Sequence, residues 1–324
     1  MTRSNSDDPA LEELRGKPGA PRVPRLEPRE RTLLIVNKKS RSGDAGDGEL
    51  EALLARHGMN VREVDCDGRA AVSEAIRRNA GTVDRVVVGG GDGTLNAAAP
   101  ALIETGLPLG ILPLGTANDL ARTLGIPNDV HAACEIISAG STRTIDVGEA
   151  NGVPFFNVAS LGLSVEIAQT LSRDVKRRFG TFGYVVAACR ALLCSHPIKA
   201  EICIDGECRQ SRTMQIAVGN GRYYGGGLTI SENARIDDGN LNVYSIETNR
   251  LWTLALMYPA FRKGRQAVWN EVRTASCTHV DIRTRKARPV NTDGEILTKT
   301  PVHFRVRKDA VTVFVPANTG DPAL

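Results

Sequence analysis

Between Thr32 and Pro113 short aliphatic runs alternate with stretches of helical spacing, and this alternation restricts the fold more than any other feature of the chain. The runs are "RTLLIV", "NVREVD", "DRVVVGG" and "LPLGILP". Between them lie Leu50, Leu53, Leu54 and His57 closed by Gly58, then a helical pattern from Ala70 to Ala80, then one from Thr94 to Thr105. Short aliphatic runs bounded by turn residues are buried strands, and strands that alternate with helices pack as a parallel sheet with right-handed crossovers. Helices from about Ala117 to Leu124 and Asp129 to Ala139 complete an expected α/β domain over residues 31–141.

Beyond Ser141 the pattern changes to Thr-, Val- and Ile-rich runs separated by turns, such as "TRTIDVGEANGVPFFNVAS" and "VHFRVRKDAVTVFVP". Residues 142–318 therefore read as a mainly β-sandwich domain, with a last strand able to return to the first domain. Two helical patterns interrupt it, from about Val165 to Cys194 and from about Arg250 to Gln266. Residues 1–30 and 319–324 read as disordered tails, because the first is rich in Arg, Pro, Glu and Asp and has too little apolar surface to bury. A cleft between an α/β half and a β half is the expected place for a ligand.

A net charge of +4 over 324 residues conceals one basic segment. Phe261 to Val290 carries eight Arg or Lys residues against Glu271 and Asp281, which suits either a solvated face or attraction to an anionic surface such as lipid headgroups. No apolar stretch approaches the roughly 20 residues of a membrane span, and the N-terminus lacks a secretory apolar core. The seven cysteines show no metal-type spacing, although Cys203 and Cys208 flank an Asp205-Gly206 turn, and a cytoplasmic setting is expected. Trp252, Tyr258 and Trp269 suit a protein core better than a membrane interface.

The stretch "VVVGGGDGTLNAAAP", Val86 to Pro100, places glycines between a buried strand and a helix expected to start near Thr94 or Leu95. Open α/β sheets bind ligands beyond the carboxyl ends of their strands. Glycine there lets backbone amides approach a polyphosphate, and a helix N-terminus favours anions. Asp92 would be repelled by phosphate, so it implies a cation such as Mg²⁺ in between, or a proton-accepting role. A tight turn is the bland alternative. The run lacks the Gly-Lys-Ser/Thr of a P-loop and the spacing of the dinucleotide fingerprint.

"GGDGT" resembles the loop shared by diacylglycerol kinases, sphingosine kinases, NAD kinases and phosphofructokinases. "ILPLGTANDLARTLGIP", Ile111 to Pro127, resembles the second signature of the bacterial diacylglycerol-kinase-like lipid kinases, and "TIDVG", "FFNVASLG", "GNGRYYGGGLTISENARIDDGNLNV" and "NTDGE" follow in that family's order. The resemblance covers Thr32 to Pro316, and the loop and later segment typical of NAD kinases are absent from the sequence. It implies an α/β nucleotide domain joined to a β-sandwich, with the active site in the interdomain cleft.

It also implies roles. ATP, as a substrate, would be lined by Asn37, Lys38, Lys39, Ser40, Arg41, Gly90, Gly91, Asp92, Gly93, Thr94, Leu95, Asn96 and Thr116. Asp92 and Asp119 would share a water and Mg²⁺ network, although Asp119 also suits a plain helix N-terminus. Glu295 stands where the family's proton acceptor falls, with Asp92 as fallback; without the resemblance, Asp293-Gly294 reads as a hairpin turn. Asp238, with the carbonyls of Arg235 and Asn240, would form a second Mg²⁺ site, or simply an Asp-Gly turn.

The implied activity is ATP- and Mg²⁺-dependent phosphorylation of a lipid hydroxyl, most simply diacylglycerol to phosphatidic acid. The partner is then a lipid at an anionic membrane surface, visited peripherally, with no nucleic acid and with a homodimer left open. A sphingoid base, phosphatidylglycerol or a soluble metabolite such as NAD stay open as substrates, as does a nucleotide-sensing membrane-associated protein without catalysis.

Overall fold

The structure, a computed structural model, describes residues 31–36, 48–165, 196–248 and 251–317. The two tails, the Asn37 to Arg41 loop and nearly all of the helix expected over Val165 to Cys194 lie outside the described residues. Four parallel strands open the fold: β1 (Arg31–Val36), β2 (Asn60–Asp65), β3 (Arg85–Gly90) and β4 (Leu109–Pro113), side by side in the order β2-β1-β3-β4. Every position of β3 and β4 is buried, as unalternated aliphatic strands covered on both faces require. The intervening helices are α1 (Glu49–Arg56), α2 (Arg69–Asn79) and α3 (Asp92–Thr105), followed by α4 (Asp119–Thr123) and α5 (Val130–Ala139). Asp129 caps α5 by accepting a hydrogen bond from the Ala132 amide at 2.8 Å.

The second half is built from antiparallel strands. A six-stranded sheet has the order β14-β13-β10-β7-β16-β17, from β7 (Val158–Gly162), β10 (Gln215–Gly219), β13 (Leu241–Ile246), β14 (Val272–Cys277), β16 (Pro289–Thr292) and β17 (Glu295–Lys299). Facing it are β8 (Ile198–Ile204), β9 (Glu207–Thr213), β15 (His279–Thr284) and β18 (Val302–Phe314), with β5 (Thr142–Ala150) and β6 (Val153–Phe155) paired alongside. The core between the sheets holds Phe155, Leu161, Ile216, Val280 and Phe304. A two-stranded ribbon, β11 (Tyr223–Tyr224) and β12 (Leu228–Thr229), and helix α6 (Leu251–Lys263) cover the outer face of the six-stranded sheet through Ile230, Tyr244, Met257 and Phe261.

The two halves share one sheet. β18 pairs antiparallel with β15 and β5 and ends beside β4, with Val313 opposite Leu109 in parallel register. A single ten-stranded sheet therefore runs from β2 to β9, and Val311, Val313 and Phe314 belong to the α/β core.

Several local expectations need correction. α3 begins at Asp92, not near Thr94, because Gly91 is extended and its carbonyl accepts from the Leu95 amide, so the helix takes in a glycine that periodicity alone assigns to the loop. α4 begins at Asp119 after Asn118 in the left-handed region, so Asp119 opens the helix instead of lying two residues inside it. Trp252 and Tyr258 are exposed, while Trp269 is the one of the three packed against a core. Cys203 and Cys208 face each other across the β8–β9 hairpin and are joined as a disulfide, a pairing that spacing alone had not required.

Candidate active site

The carboxyl ends of β3 and β4 bring two loops into direct contact. A Cβ at Gly115 would stand 2.4 Å from the Gly91 Cα, and one at Gly90 would stand 2.7 Å from the Thr94 side chain. Glycine is thus required here so that the loops can touch and the first turn of α3 can close. The space a Cβ would take at Gly90 and Gly91 is filled by the protein itself, so close loop contact is one physical reason for glycine at these positions. Gly93 differs: its Cβ position is open as far as Glu295 Oε1, 3.5 Å away.

Asp92 fastens this loop pair. Its Oδ2 accepts from the Asp119 amide at 3.1 Å, and its Oδ1 accepts from the Leu120 amide at 3.0 Å and from Asn157 Nδ2 at 3.1 Å. Asn118, the residue preceding α4, makes no side-chain cap of its own, so a carboxylate from another helix satisfies the unpaired amides at that N-terminus. The Asn118 side chain instead ties the loop, accepting from the Gly115 amide and donating to the Pro113 and Gly115 carbonyls.

Asp119 is 4% exposed, and its Oδ2 accepts from the Gly226 amide at 2.9 Å. Burial raises its pKa above the ordinary aspartate value, with the Asp92 charge pushing the same way against the Gly226 hydrogen bond. Among the described residues, Asp119 Oδ1 and Asn157 Oδ1 are buried acceptors without a donor. Both residues line a cavity of about 240 Å³ between the halves, together with Asp92, Ser160, Ser164 and Tyr224. Undonated oxygens beside a carboxylate are a fitting environment for a hydrated divalent cation.

The other wall is the turn between β16 and β17. Asp293, which the sequence offered only as a turn residue, accepts four N–H bonds: from the Phe156, Asn157 and Val158 amides and from Asn96 Nδ2, at 2.7 to 3.0 Å. Burial outweighs these donors and pushes its carboxyl up to about 6. Asn96 Nδ2 also donates to the Pro154 carbonyl, so α3 is stitched to the sandwich half. Glu295 follows two residues later, exposed over the first turn of α3, with Oε2 3.3 Å from Arg69 Nη1. The same guanidinium donates to the Asn96 carbonyl, so Arg69, another residue sequence reading missed, joins Glu295 to α3.

The expected site residues divide accordingly. Gly91, Asp92, Gly93, Asp119 and Glu295 converge on the cleft, and Thr116 is exposed at the crest of the β4–α4 loop. Thr94, Leu95 and Asn96 are buried, with the Leu95 side chain in the α/β core and the Asn96 amide engaged as above. Asn37, Lys38, Lys39, Ser40 and Arg41 lie outside the described residues.

Asp238 lies in a separate loop. It accepts from the Asn240 amide at 2.9 Å, while the Arg235 guanidinium is taken by Asp237 at 3.1 Å. Buried Asp146 holds the loop from behind by accepting from the Gly239 and Asp309 amides. Burial, then the nearby Asp146 and Asp237 charges, raise Asp238 against hydrogen bonds from the Asn240 and Arg235 amides. The contacts of the Asp238 carboxylate are thus backbone N–H donors, and no group of three or more His, Cys, Asp or Glu side chains placed to hold a metal occurs among the described residues.

Comparison with known proteins gives this geometry a family. A profile described as "Diacylglycerol kinase catalytic domain" matches residues 31–150, and one described as "YegS C-terminal NAD kinase beta sandwich-like domain" matches residues 157–315. A Pseudomonas aeruginosa PAO1 protein named "Probable lipid kinase YegS-like" is 32% identical over 307 residues, covering 91% of this chain and 97% of that protein. A Klebsiella pneumoniae protein of the same name is 36% identical over 219 residues, covering 65% of this chain and 72% of its own length. The solved structure of a proposed diacylglycerol kinase from Bacillus anthracis str. Sterne superposes with a TM-score of 0.75 at 27% identity, covering 89% of this chain and 96% of that one. The two matches follow one another along the chain as the two halves do, and the chain belongs to the bacterial diacylglycerol-kinase-like family of lipid kinases.

Proposed function

We propose that this lipid-kinase relative transfers the γ-phosphate of ATP to the free hydroxyl of diacylglycerol, giving phosphatidic acid and ADP, with Mg²⁺ required. The observation that carries the reading is the placement of Glu295, delivered from the sandwich half to the first turn of α3 at Gly93 and held there by Arg69. The acceptor oxygen forms a bond to the γ-phosphorus as the bond to the β,γ-bridging oxygen breaks, and Glu295 takes the hydroxyl proton. Phosphoryl transfer asks the protein mainly for alignment and charge compensation. Asp92 supplies alignment by locking the β3 and β4 loops together, and Asp119 and Asn157 present undonated oxygens to the cavity. Mg²⁺ held near Asp92 and Asp119 would neutralise phosphate charge, and a second ion at Asp238 would brace its loop. Ser160, Ser164 and Tyr224 line the same cavity and offer hydroxyls to a lipid headgroup.

The test is incubation of the protein with radiolabelled ATP, Mg²⁺ and a total lipid extract, followed by identification of the labelled product. Labelled phosphatidic acid is expected, and Glu295→Gln is expected to lower kcat by about a hundredfold or more, the range for removing a general base. Label on another lipid would reassign the acceptor. Undiminished turnover in Glu295→Gln would remove the proton-accepting role from that residue.

A further inference from the structure

Helix α6 turns a large apolar face outward. Trp252, Leu256 and Tyr258 are 60%, 56% and 55% exposed, and Val268, in the helical turn that follows, is 75% exposed. The opposite side of the helix is buried through Thr253, Met257 and Phe261. At about 3.6 residues per turn, Trp252, Leu256, Pro259 and Lys263 fall in one stripe, with Arg262 beside it. Single exposed apolar residues are ordinary, but a contiguous set on one helix marks a surface that meets something.

Charge identifies the class of partner. The helix contains no acidic residue and ends in exposed Arg262 and Lys263, while the next cation, Arg265, is paired with Glu232 at 2.8 Å. A second copy docked through the same face would offer Arg262 and Lys263 no acidic group on this helix. An anionic bilayer offers both an apolar interior and phosphates at its surface.

Position links the buried side of the helix to the cleft. The Phe261 ring lies 5.3 Å from Tyr244, whose hydroxyl is 2.8 Å from that of Tyr224, and Tyr224 lines the cavity between the halves. Thr229, on β12, donates its hydroxyl to the Arg262 carbonyl, and the glycine run just before β12 reaches Asp119 through the Gly226 amide. We propose that α6 is a membrane-docking face that lies in the headgroup region of an anionic bilayer. Trp252 and Leu256 insert among the acyl chains and Arg262 and Lys263 meet lipid phosphates. This rests on the reading of the protein as a kinase of a membrane lipid.

The test is cosedimentation of the full chain, without ATP, with vesicles of phosphatidylcholine alone or mixed with phosphatidylglycerol. Binding is expected to the mixed vesicles, with a blue shift of tryptophan emission that persists in Trp269→Phe and so reports Trp252. The pair Trp252→Ser with Leu256→Ser, and separately the pair Arg262→Glu with Lys263→Glu, are each expected to weaken vesicle binding by about tenfold or more. Transfer to a short-chain diacylglycerol dissolved in water should be unchanged in both pairs, and circular dichroism confirms that they fold. Two results overturn the proposal: binding equal to that of the natural protein in both pairs, or a change from dimer to monomer with vesicle binding intact, which would make the face an interface between copies. Because binding is read without nucleotide, failure to phosphorylate diacylglycerol in any format would instead overturn the proposed function.

Discussion

Asp92 holds three N–H donors at once, and this structural duty cannot be separated from any catalytic one. In Asp92→Asn one acceptor oxygen becomes an amide group facing backbone N–H donors, at a cost of about 1–3 kcal/mol per unsatisfied buried group. The expected outcome is therefore loss of transfer together with a lower urea midpoint; full stability with full activity would remove Asp92 from both roles. Asp293 supplies a prediction with a pH signature. Its folded-state value of about 6 lies above the ordinary aspartate value of 3.8, so between those values the folded protein binds more protons than the unfolded chain. This group's contribution to stability is therefore greatest at the acid end and is lost as pH rises toward 6. Asp293→Asn also abandons N–H donors, so it should be less stable throughout. The advantage of the natural protein over the variant should shrink between about pH 4 and pH 6.5, measured by urea unfolding at each pH.

At the scale of elements, contact between the β3–α3 and β4–α4 loops sets the shape of the cleft. The Cβ of Gly115→Ala would meet the Gly91 Cα at 2.4 Å, where the obstacle is backbone and cannot rotate away. Separating the loops also pulls Asp92 from the α4 amides, so a loss of about 1–3 kcal/mol is expected, in the range of overpacked interiors, together with weakened ATP binding. Gly93→Ala is the control. Its Cβ would lie 3.5 Å from Glu295 Oε1, an ordinary contact, so melting should be nearly unchanged while transfer falls if Glu295 is displaced. Equal melting of the two variants would mean that the loop contact does not support the fold. Edge protection is a second element-scale matter: β18 shields β4, whose free edge would otherwise be open to pairing with another chain.

For the whole molecule, the path of β18 makes the two halves interdependent. One strand contributes Val302 and Phe304 to the sandwich core and Val311, Val313 and Phe314 to the α/β core. Urea unfolding should therefore be a single transition, coincident by tryptophan fluorescence, which reports only the second half, and by far-UV circular dichroism, which reports both. A chain ending at residue 141 lacks that strand and should show no cooperative transition. A stable, cooperatively melting fragment of that length would refute the shared-sheet account.

The order of strands and helices was legible because periodicity is local: "DRVVVGG" needs no distant partner to read as a buried strand, and β3 is buried at every position. The family was legible for a related reason, since loops such as "GGDGT" and "GTAND" are short and keep their identity along the chain. Tertiary structure alone decided what those residues touch. Asp92 meets the α4 amides 27 and 28 residues away and Asn157 at 65, and Arg69 meets Glu295 across 226 residues. Asp293 had only its turn as a local signal, and its four donors come from segments that the fold brings together. Exposure of Trp252 and burial of Leu95 were likewise settled by packing, because a side chain's hydrophobicity states its preference and the neighbouring elements determine whether space exists to satisfy it.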